Sequence, residues 1–585
     1  MRISIRTMSI SKTSIPTPTR RSTSYSMWIF KRAPFRPKGR MFRHAVVGLA
    51  LAVALIAMLP GCTKVESSGA SGLHPWTIPG TMRWADGEEP DNLNPLLSTE
   101  LLVNDLSAFT MGYFFQFGPR GEAVPDLCVE VPTQANGDIS ADGRTLRFKL
   151  RHGVAWSDGA PFTSADVAFS VRAILNPRNN VLSREGWDLI QRVETPDPYT
   201  VVFHLRQPFA PFLDKFFTPV GNPAILPEHL LAKYPDLNHV AYNQLPVGLG
   251  PFVYTAWRRG NEVEMAANPH YWGGPLKLKH VIFKIIPDAN TVLTQVRTHE
   301  LDVDVRVPAN EVSEVRSLPG VRTIDVVSNS FRHLDFNLSR PALRDLRVRQ
   351  AIAHATDRRA IWEKVYHRVG VVSNAPFPSS SWAYAPGLPG YAYDLGAAAR
   401  LLDEAGWRLG SDGLRHRKGE ALRLTLVGNI GNPLLDSTVL VIESSFKRLG
   451  IELEYKRYPT PLLFGSYAAG GIIATGKYDL AIYAWQLQPD PDLSLLLECR
   501  SVPPHALNYV RYCNPAFDRL QEDADTHYDR ARRRRDLIAE QRILSHDLPW
   551  IVISNIEEVF ALNPDLKGLA PDLDEVFWNA AQLSM

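Results

Sequence analysis

The sequence lacks the short motifs that mark many catalytic and nucleotide-binding sites. It contains no HExxH helix, no CxxC pair, no GxSxG nucleophile turn and no phosphate loop of the form GxxxxGK(S/T). Its 16 histidines are scattered without the spacing that a metal site requires. These absences argue against a metalloenzyme, a serine hydrolase and a nucleotide-dependent enzyme, so we predict no catalytic residue, no metal ligand and no cofactor.

Acidic residues are absent from the first 61 positions, which carry 11 Lys or Arg. The apolar run 45–59 follows this basic stretch and leads into the sequence LPGC, which ends at Cys62. A run of 15 residues is short for a membrane-spanning helix, which needs about 20. The layout is typical of a secretory signal peptide that is cut in front of a lipid-modified cysteine.

We therefore interpret residues 1–61 as a signal peptide and Cys62 as the site of lipid attachment. Met41 offers an alternative start, because it would give the signal peptide a basic segment of ordinary length. Residues 62–80 contain many Ser, Gly and Pro residues and predict a tether. The protein would then be exported to the periplasm and anchored to a membrane by lipid, and an uncleaved transmembrane anchor is the alternative.

The basic character of the chain belongs to the predicted signal peptide. Removing residues 1–61 takes away 11 basic and no acidic residues, and the formal charge moves from +3 to −8 over the remaining 524 residues. Binding to nucleic acid needs clustered Lys and Arg on the folded surface, so no nucleic-acid partner is expected. The dense run 530–535 holds five arginines among acidic neighbours, a pattern that predicts a solvated helix face.

The segment 141–175 has the clearest local signals. Apolar and polar residues alternate over 145–150, which predicts a half-buried strand. Thr163 stands where it would cap a helix, with Asp166 at the capping-box position three residues later. An Asn-Pro pair would end that helix. Strand and helix signals alternate along most of the chain, which predicts an α/β fold, and a chain of this length needs more than one core.

The same segment, ADGRTLRFKLRHGVAWSDGAPFTSADVAFSVRAIL, closely resembles the signature of the family 5 extracellular solute-binding proteins, the dipeptide and oligopeptide receptors of bacterial ABC importers. Three further stretches resemble other elements of that family in the same order: VGLGPF at 247–252, NPHYWG at 268–273 and LRVRQAIAHATDR at 346–358. A later stretch, ECRSVPPHALNYVRYCNPAFDRL, also has a counterpart there. The resemblance covers about four-fifths of the chain.

The resemblance implies an α/β fold of the two-lobed periplasmic-binding-protein type, with an extra inserted domain and two crossovers between the lobes. The first lobe is expected to begin at 81–116, to continue at 236–304 and to receive the chain again at 548–585. The inserted domain is expected at 117–235. The second lobe is expected at 305–547.

Four cysteines fit an exported protein, in which disulfides persist. Cys499 and Cys513 belong to a stretch whose resemblance implies a disulfide, and closing a loop of that size contributes roughly 3 kcal/mol in the chain-entropy model. Cys128 is expected to be a buried small hydrophobe.

The resemblance also points to the segment 483–492, YAWQLQPDPD, as part of the ligand site. In the family, the matching strand brings a Trp and an Asp to the cleft, and in dipeptide receptors that Asp pairs with the ligand's ammonium. Trp485 matches the Trp, but Gln488 stands at the Asp position, and a neutral amide cannot neutralise a cation. Asp490 is the alternative acid, although Pro489 and Pro491 favour a turn in which Asp490 and Asp492 cap the next helix. Tyr113 is a further candidate contact.

We interpret the chain as the solute-binding lipoprotein of a peptide-type ABC importer. It would be a monomer that captures a small solute between its lobes and delivers it to permease subunits, without catalysis. A peptide is the expected ligand, and Gln488 keeps oligosaccharides and blocked peptides as alternatives. A lipid-anchored hydrolase with Asp490 and Asp492 as its carboxylate pair is the rival from another class. A receptor that signals to a sensor partner is a third interpretation.

Overall fold

The computed structural model describes residues 72–98, 100–181, 184, 186–219, 223–572 and 574–585. The predicted signal peptide, the alternative start at Met41, the lipid site at Cys62 and the first part of the tether lie outside the described residues. Within the described ranges, no helix is both long enough and apolar enough to cross a bilayer.

The secondary structure alternates between strands and helices, as the sequence predicts. The strands of the described residues are β1 Thr81–Asp86, β2 Phe115–Phe117, β3 Ala123–Pro125, β4 Thr145–Lys149, β5 Ile190–Asp197, β6 Thr200–Leu205, β7 Phe252–Arg258, β8 Glu262–Ala267, β9 His280–Ile285, β10 Val303–Asp304, β11 Arg322–Phe336, β12 Arg408–Leu409, β13 Arg415–Arg417, β14 Glu420–Ala421, β15 Arg423–Asn429, β16 Glu452–Tyr458, β17 Leu480–Gln486 and β18 Trp550–Leu562. The α-helices are Leu101–Thr110, Ser164–Leu175, Phe212–Lys215, Glu228–Leu231, Ala289–Arg297, Val312–Val315, Leu346–Ala355, Arg358–Ala360, Leu395–Glu404, Pro433–Leu449, Thr460–Leu463, Ser494–Leu497, Pro515–Thr526 and Arg530–Asp547.

Ten strands pair into one mixed sheet in the order β16-β15-β17-β11-β18-β10-β1-β9-β8-β7. The first three strands of that order belong to lobe 2, and the last five belong to lobe 1. β4, β5 and β6 form a separate antiparallel sheet in the segment that the sequence assigns to the inserted domain.

Two long strands, β11 and β18, cross between the lobes. They pair antiparallel along most of their length, but the register shifts between Val327 and Phe331. Across that shift, Ser328–Ser330 of β11 lie opposite the single residue Ile556 of β18. Before the shift the strands extend the sheet of lobe 1, and after it β11 pairs with β17 of lobe 2. The α/β class, the two lobes and the two crossovers predicted from the sequence are confirmed.

The segment boundaries of the lobes stay a prediction, because the crossing strands serve both lobes. β11 begins in lobe 1 and ends in lobe 2, although the predicted second lobe starts at 305. β18 starts in lobe 2 and ends in lobe 1, although the predicted return to lobe 1 starts at 548.

Each part of the fold has its own apolar core. In lobe 1, the ring of Trp84 packs against Phe283 and Phe577, with centroids 4.6 and 5.0 Å apart. In the inserted segment, Phe114 stacks on Phe148 of β4 with centroids 4.6 Å apart. Such aromatic pairs add about 0.5–1.5 kcal/mol beyond the area that they bury. The core of lobe 2 consists of aliphatic and aromatic residues that include Leu334, Ile352, Leu426, Ile442 and Phe446.

The local predictions for 141–175 are confirmed. Leu146 and Phe148 of β4 are fully buried and alternate with exposed or half-buried residues. The Thr163 side chain caps the helix Ser164–Leu175, and its backbone N–H donates to the Asp166 carboxylate, 2.9 Å from Oδ2. Elsewhere, Cys128 is buried as expected.

The arginine run requires a correction, since one member does not lie on a solvated face. Residues 530–535 begin the helix Arg530–Asp547, as predicted. Arg533, however, is 6% exposed and points into the protein. Its guanidinium binds Asp490, which lies 43 positions earlier in the chain. The sequence did not reveal this partner, because the run contains four other arginines that are equally polar.

Candidate functional site

Three chain segments meet where β11 changes register. The Leu487 N–H, just after β17, donates to the Asn329 carbonyl oxygen at 3.1 Å. The Asn329 side-chain amide donates to the Asp574 carboxylate, with Nδ2 2.7 Å from Oδ2. Asn329 therefore lies between the end of β17 and the C-terminal segment, which is the part of the chain that follows β18. We call the following residues the acidic junction: Asn329, Gln486, Asp572, Asp574 and Glu575.

The acidic junction lies beside the carboxyl ends of parallel strands. β15 and β17 run parallel, and β15 ends at Asn429 while β17 ends at Gln486. Open α/β sheets bind ligands outside the carboxyl ends of their strands, where the strand order switches. In this sheet the parallel strands give way to the antiparallel crossing strand β11 at that edge. The location is therefore one where this type of sheet accommodates a ligand.

The carboxyl groups of the C-terminal segment are enclosed. Glu575 is 2% exposed and Asp572 is 5% exposed. Burial raises the pKa of both side chains well above the usual values, and it raises the pKa of Asp574 to about 7. Three acids from other elements lie within electrostatic reach of these carboxyl groups: Asp105, Asp214 and Glu558. Burial raises their pKa values as well.

Two arginines neutralise part of this negative charge. The guanidinium of Arg306 lies 2.7 Å from the Asp105 carboxylate. Arg533 holds both oxygens of Asp490 at 2.6 Å. In the part of the chain that the structure describes, the three carboxyl groups of the C-terminal segment take part in no ion pair. Arg306 acts on Glu575 only through space, and burial outweighs it, so the pKa of Glu575 is still raised.

Several oxygen atoms in and beside the acidic junction have no hydrogen-bond partner in the described part of the chain. Oε1 of Gln488, Oδ2 of Asp572 and Oε2 of Glu575 are buried without a hydrogen-bond partner among the described residues. An unsatisfied buried polar atom costs about 1–3 kcal/mol, so such atoms call for an explanation. No group of three or more His, Cys, Asp or Glu side chains within the described ranges is arranged to hold a metal ion.

Tyr113 approaches the acidic junction from lobe 1. It is 1% exposed, and its hydroxyl lies 2.7 Å from Oγ of Ser107. Burial is the main cause that raises the pKa of Tyr113, and the Glu575 carboxylate adds to the rise. Tyr113 is thus a core aromatic whose hydroxyl lies within electrostatic reach of the acidic junction.

Trp485 belongs to an aromatic group of lobe 2. It lies opposite Phe331 in the pairing of β17 with β11, and its half-buried ring lies 6.4 Å from that of Tyr483. The Tyr483 hydroxyl donates to Asp335 at 2.6 Å, and the other oxygen of Asp335 lies 2.7 Å from Nδ1 of His333. Because side chains alternate along a strand, Trp485 faces the opposite side of β17 from its neighbour at 486, which lies nearer the acidic junction.

Asp490 connects lobe 2 to the inserted segment. Its carboxylate binds Arg533, and its backbone N–H donates to the Asp214 carboxylate. Asp492, in contrast, accepts a hydrogen bond from the Ser494 N–H at 2.8 Å, just where the next helix begins. The helix-capping expectation therefore applies to Asp492, and for Asp490 it is wrong because that carboxylate is engaged by a buried arginine.

Cys499 and Cys513 are joined by a disulfide in the structure. The bond closes the loop between the helix Ser494–Leu497 and the helix Pro515–Thr526. Both helices belong to lobe 2, close to the segment that follows β17.

The sequence did not single out Asn329, Asp574 or Glu575. Asn329 occurs in a Ser-Asn-Ser stretch inside a long strand, and no periodicity marks the register shift. Asp574 and Glu575 occur in a short C-terminal segment that contains many polar residues and reads as a surface loop. The one usable signal was the pair of adjacent acids in the sequence DLDEVFW, next to apolar residues.

Comparisons with known proteins give matches over most of the chain. The family model described as bacterial extracellular solute-binding proteins, family 5 Middle, matches residues 122–502. Protein XP55 of Streptomyces lividans is 30% identical over 486 residues, which cover 83% of this chain and 85% of that protein. The oligopeptide-binding protein AppA of Bacillus subtilis is 25% identical over 535 residues, which cover 90% and 96% of the two chains.

A solved structure extends these matches to three dimensions. NikZ from Campylobacter jejuni, in complex with Ni(L-His), matches with a TM-score of 0.74 at 26% identity. The match covers 87% of this chain and 100% of that chain. The described part of the chain and NikZ therefore share one arrangement of lobes.

Proposed function

The chain belongs to the bacterial extracellular solute-binding proteins of family 5, and we propose that it captures a small solute between its lobes for an ABC importer. The observation that carries this proposal is the family match over residues 122–502. We assign a peptide as the solute class, because one of the relatives is named for binding oligopeptides. Delivery to the permease subunits of the importer is the step that follows capture, and no catalytic step takes part.

Capture would occur by closure of the lobes about the crossing strands. The register shift at Ser328–Ser330 interrupts the pairing of β11 with β18, and such a point absorbs a hinge rotation more easily than regular pairing. Tyr528 of lobe 2 donates its hydroxyl to the Gly143 carbonyl at 2.9 Å, and the Ala210 N–H donates to the Asp525 carbonyl at 2.6 Å. These contacts would hold the inserted segment against lobe 2 in the closed state.

We further propose that lipid on Cys62 keeps the protein at the membrane, where its permease lies. Growth of the producing cells with a labelled fatty acid should label the protein, and Cys62→Ser should abolish the label. Labelling that persists in this variant would contradict the lipid site.

The size of the purified protein in solution, measured by light scattering, tests whether it is a monomer.

Mass spectrometry of the small molecules released on denaturing the purified protein tests the proposed function directly. We expect a bound peptide, and calorimetry with the same peptide should give saturable binding without turnover. Cleavage of the peptide that Asp490→Asn abolishes would favour the hydrolase interpretation. The absence of any released solute, together with no binding of short peptides, would contradict the proposal.

A further inference from the structure

We propose that Tyr528, Asp525 and Asp490 of lobe 2, with their partners in the inserted segment, form a latch that holds the cleft closed. Tyr528 is the side chain that fastens it. The latch rests on the proposed function, because it has a role only where the lobes open and close around a solute. It gives the inserted segment an active part in closure.

The inserted segment is fastened to lobe 1 by backbone hydrogen bonds. The Phe114 N–H donates to the Phe217 carbonyl at 2.7 Å, and the Ser157 N–H donates to the Gly248 carbonyl at 3.0 Å. The chain also enters the inserted segment from lobe 1 and returns to lobe 1 when it leaves. A rotation at the hinge therefore carries the inserted segment along with lobe 1. Its contacts with lobe 2 have to break when the cleft opens.

Tyr528 binds the inserted segment through both its hydroxyl and its ring. The hydroxyl accepts a hydrogen bond from the Phe209 N–H at 3.2 Å and donates to the Gly143 carbonyl at 2.9 Å. The ring lies against that of Phe212, with centroids 5.9 Å apart. Gly143 leaves space for the Tyr528 ring, because a Cβ at that position would lie 2.6 Å from Cε2. Burial raises the pKa of Tyr528 to about 12, so the hydroxyl keeps its proton at neutral pH.

Two further hydrogen bonds join the inserted segment to lobe 2, and each has a backbone N–H as its donor. The Ala210 N–H donates to the Asp525 carbonyl at 2.6 Å. The Asp490 N–H donates to Oδ2 of Asp214, whose side chain is buried. Neither bond involves the Tyr528 hydroxyl. The two N–H groups therefore report on the state of the latch independently of that hydroxyl.

Asp490 joins the latch to the candidate ligand segment 483–492. Its backbone N–H belongs to the latch, while its carboxylate binds Arg533. Arg533 lies on the helix Arg530–Asp547, which begins shortly after Tyr528. The ligand segment, this helix and the inserted segment are thus held together at one place. A solute that contacts the ligand segment acts on the same part of lobe 2 that carries the latch.

Hydrogen exchange of the purified protein, resolved to single residues, tests the latch without knowledge of the solute. The N–H groups of Ala210 and Asp490 exchange when their bonds break, so their rates measure how often the latch opens. Tyr528→Phe keeps the ring and removes the hydroxyl, which takes part in neither bond. Tyr242→Phe is the matched control, because the Tyr242 hydroxyl also donates to a carbonyl at 2.9 Å, that of Val247, but outside lobe 2.

Because the latch opens as a unit, Tyr528→Phe should raise the exchange rates at Ala210 and Asp490 together, by about 10-fold, as expected for the loss of one hydrogen bond. Tyr528→Ala should raise both rates further, since it also removes the ring. Tyr242→Phe should leave both rates unchanged. Faster exchange at Phe209 alone in Tyr528→Phe, or equal rates in the two Phe variants, would overturn the latch.

The backbone N–H groups of β11 and β17 provide the reference for folding, because both strands lie in the large sheet. Their exchange rates should be the same in all variants. An equal rise there would mean that Tyr528 stabilises the whole fold, and it would also overturn the latch.

Small-angle X-ray scattering tests whether the latch holds the cleft closed. Rotation of the lobes away from each other enlarges the radius of gyration, so Tyr528→Ala should have a larger radius than the unchanged protein. An equal radius would overturn this role. Neither measurement uses the release or binding of a peptide, which tests solute capture itself. A failure of the latch and a failure of the proposed function are therefore distinguishable.

Discussion

Changing Asp490 to Asn should destabilise lobe 2, because it leaves a buried arginine without its partner. Both oxygens of Asp490 lie 2.6 Å from the Arg533 guanidinium, and the two side chains are 11% and 7% exposed. Removing one member of a buried ion pair costs about 3–5 kcal/mol. The same change removes repulsion between Asp490 and the nearby carboxyl groups of Asp214 and Asp525. We therefore expect the lower end of the range, about 3 kcal/mol.

The helix Arg530–Asp547 carries a matched control for this prediction. Arg532 is held by Asp523 through two contacts of 2.9 and 2.7 Å, but these side chains are 43% and 33% exposed. Exposed pairs contribute about 0–1 kcal/mol, because water already solvates both charges. Asp523→Asn should therefore change stability little. Urea unfolding followed by tryptophan fluorescence measures both variants, and their midpoints can be compared if the slopes are equal.

Two results would refute the reasoning. Equal unfolding midpoints for Asp490→Asn and Asp523→Asn would mean that the buried pair contributes no more than the exposed one. Replacing Arg533 by Met in the Asp490→Asn background should recover part of the lost stability, since no charge remains buried. If it does not, the loss has another cause. Loss of solute binding without loss of stability would instead make Asp490 a ligand contact.

Three further predictions concern protons and a helix cap. Burial raises the pKa of Asp574 to about 7, and Glu558 adds to the rise, so the folded state holds a proton there that the unfolded state releases above about pH 4. Stability should therefore fall as the pH rises from about 4 to about 7, and a urea midpoint of Asp574→Asn that falls as steeply over this range as that of the unchanged protein would contradict this. Burial and neighbouring carboxylates raise the pKa of Glu540 well above its usual value. The folded state therefore binds more protons than the unfolded state, and the free energy of unfolding should fall as the pH rises above about 4. Glu540→Gln should therefore have a higher urea midpoint than the unchanged protein at about pH 8 but not at about pH 4. Thr163→Ala should cost about 1 kcal/mol in thermal unfolding, because it removes the helix cap, whereas Thr163→Ser should retain most of the stability.

The parts of the fold that depend on neighbouring residues could be predicted from the sequence. The capping box of Thr163 and Asp166 involves groups three positions apart, so its signal is complete within the local sequence. The helix Leu346–Ala355 is another such case, because its apolar residues recur at helical spacing and are buried as that spacing requires. The α/β class followed from many signals of this kind.

The contacts that build the acidic junction could not be predicted in this way. Asn329 reaches Asp574 because β11 changes register, and nothing in the Ser-Asn-Ser stretch distinguishes it from a regular strand. Asp574 lies 245 positions from Asn329, and only packing of the C-terminal segment against the crossing strands encloses it. Arg533 is a similar case, since its four neighbouring arginines have the same charge and size. Which of them turns inward depends on where Asp490 lies.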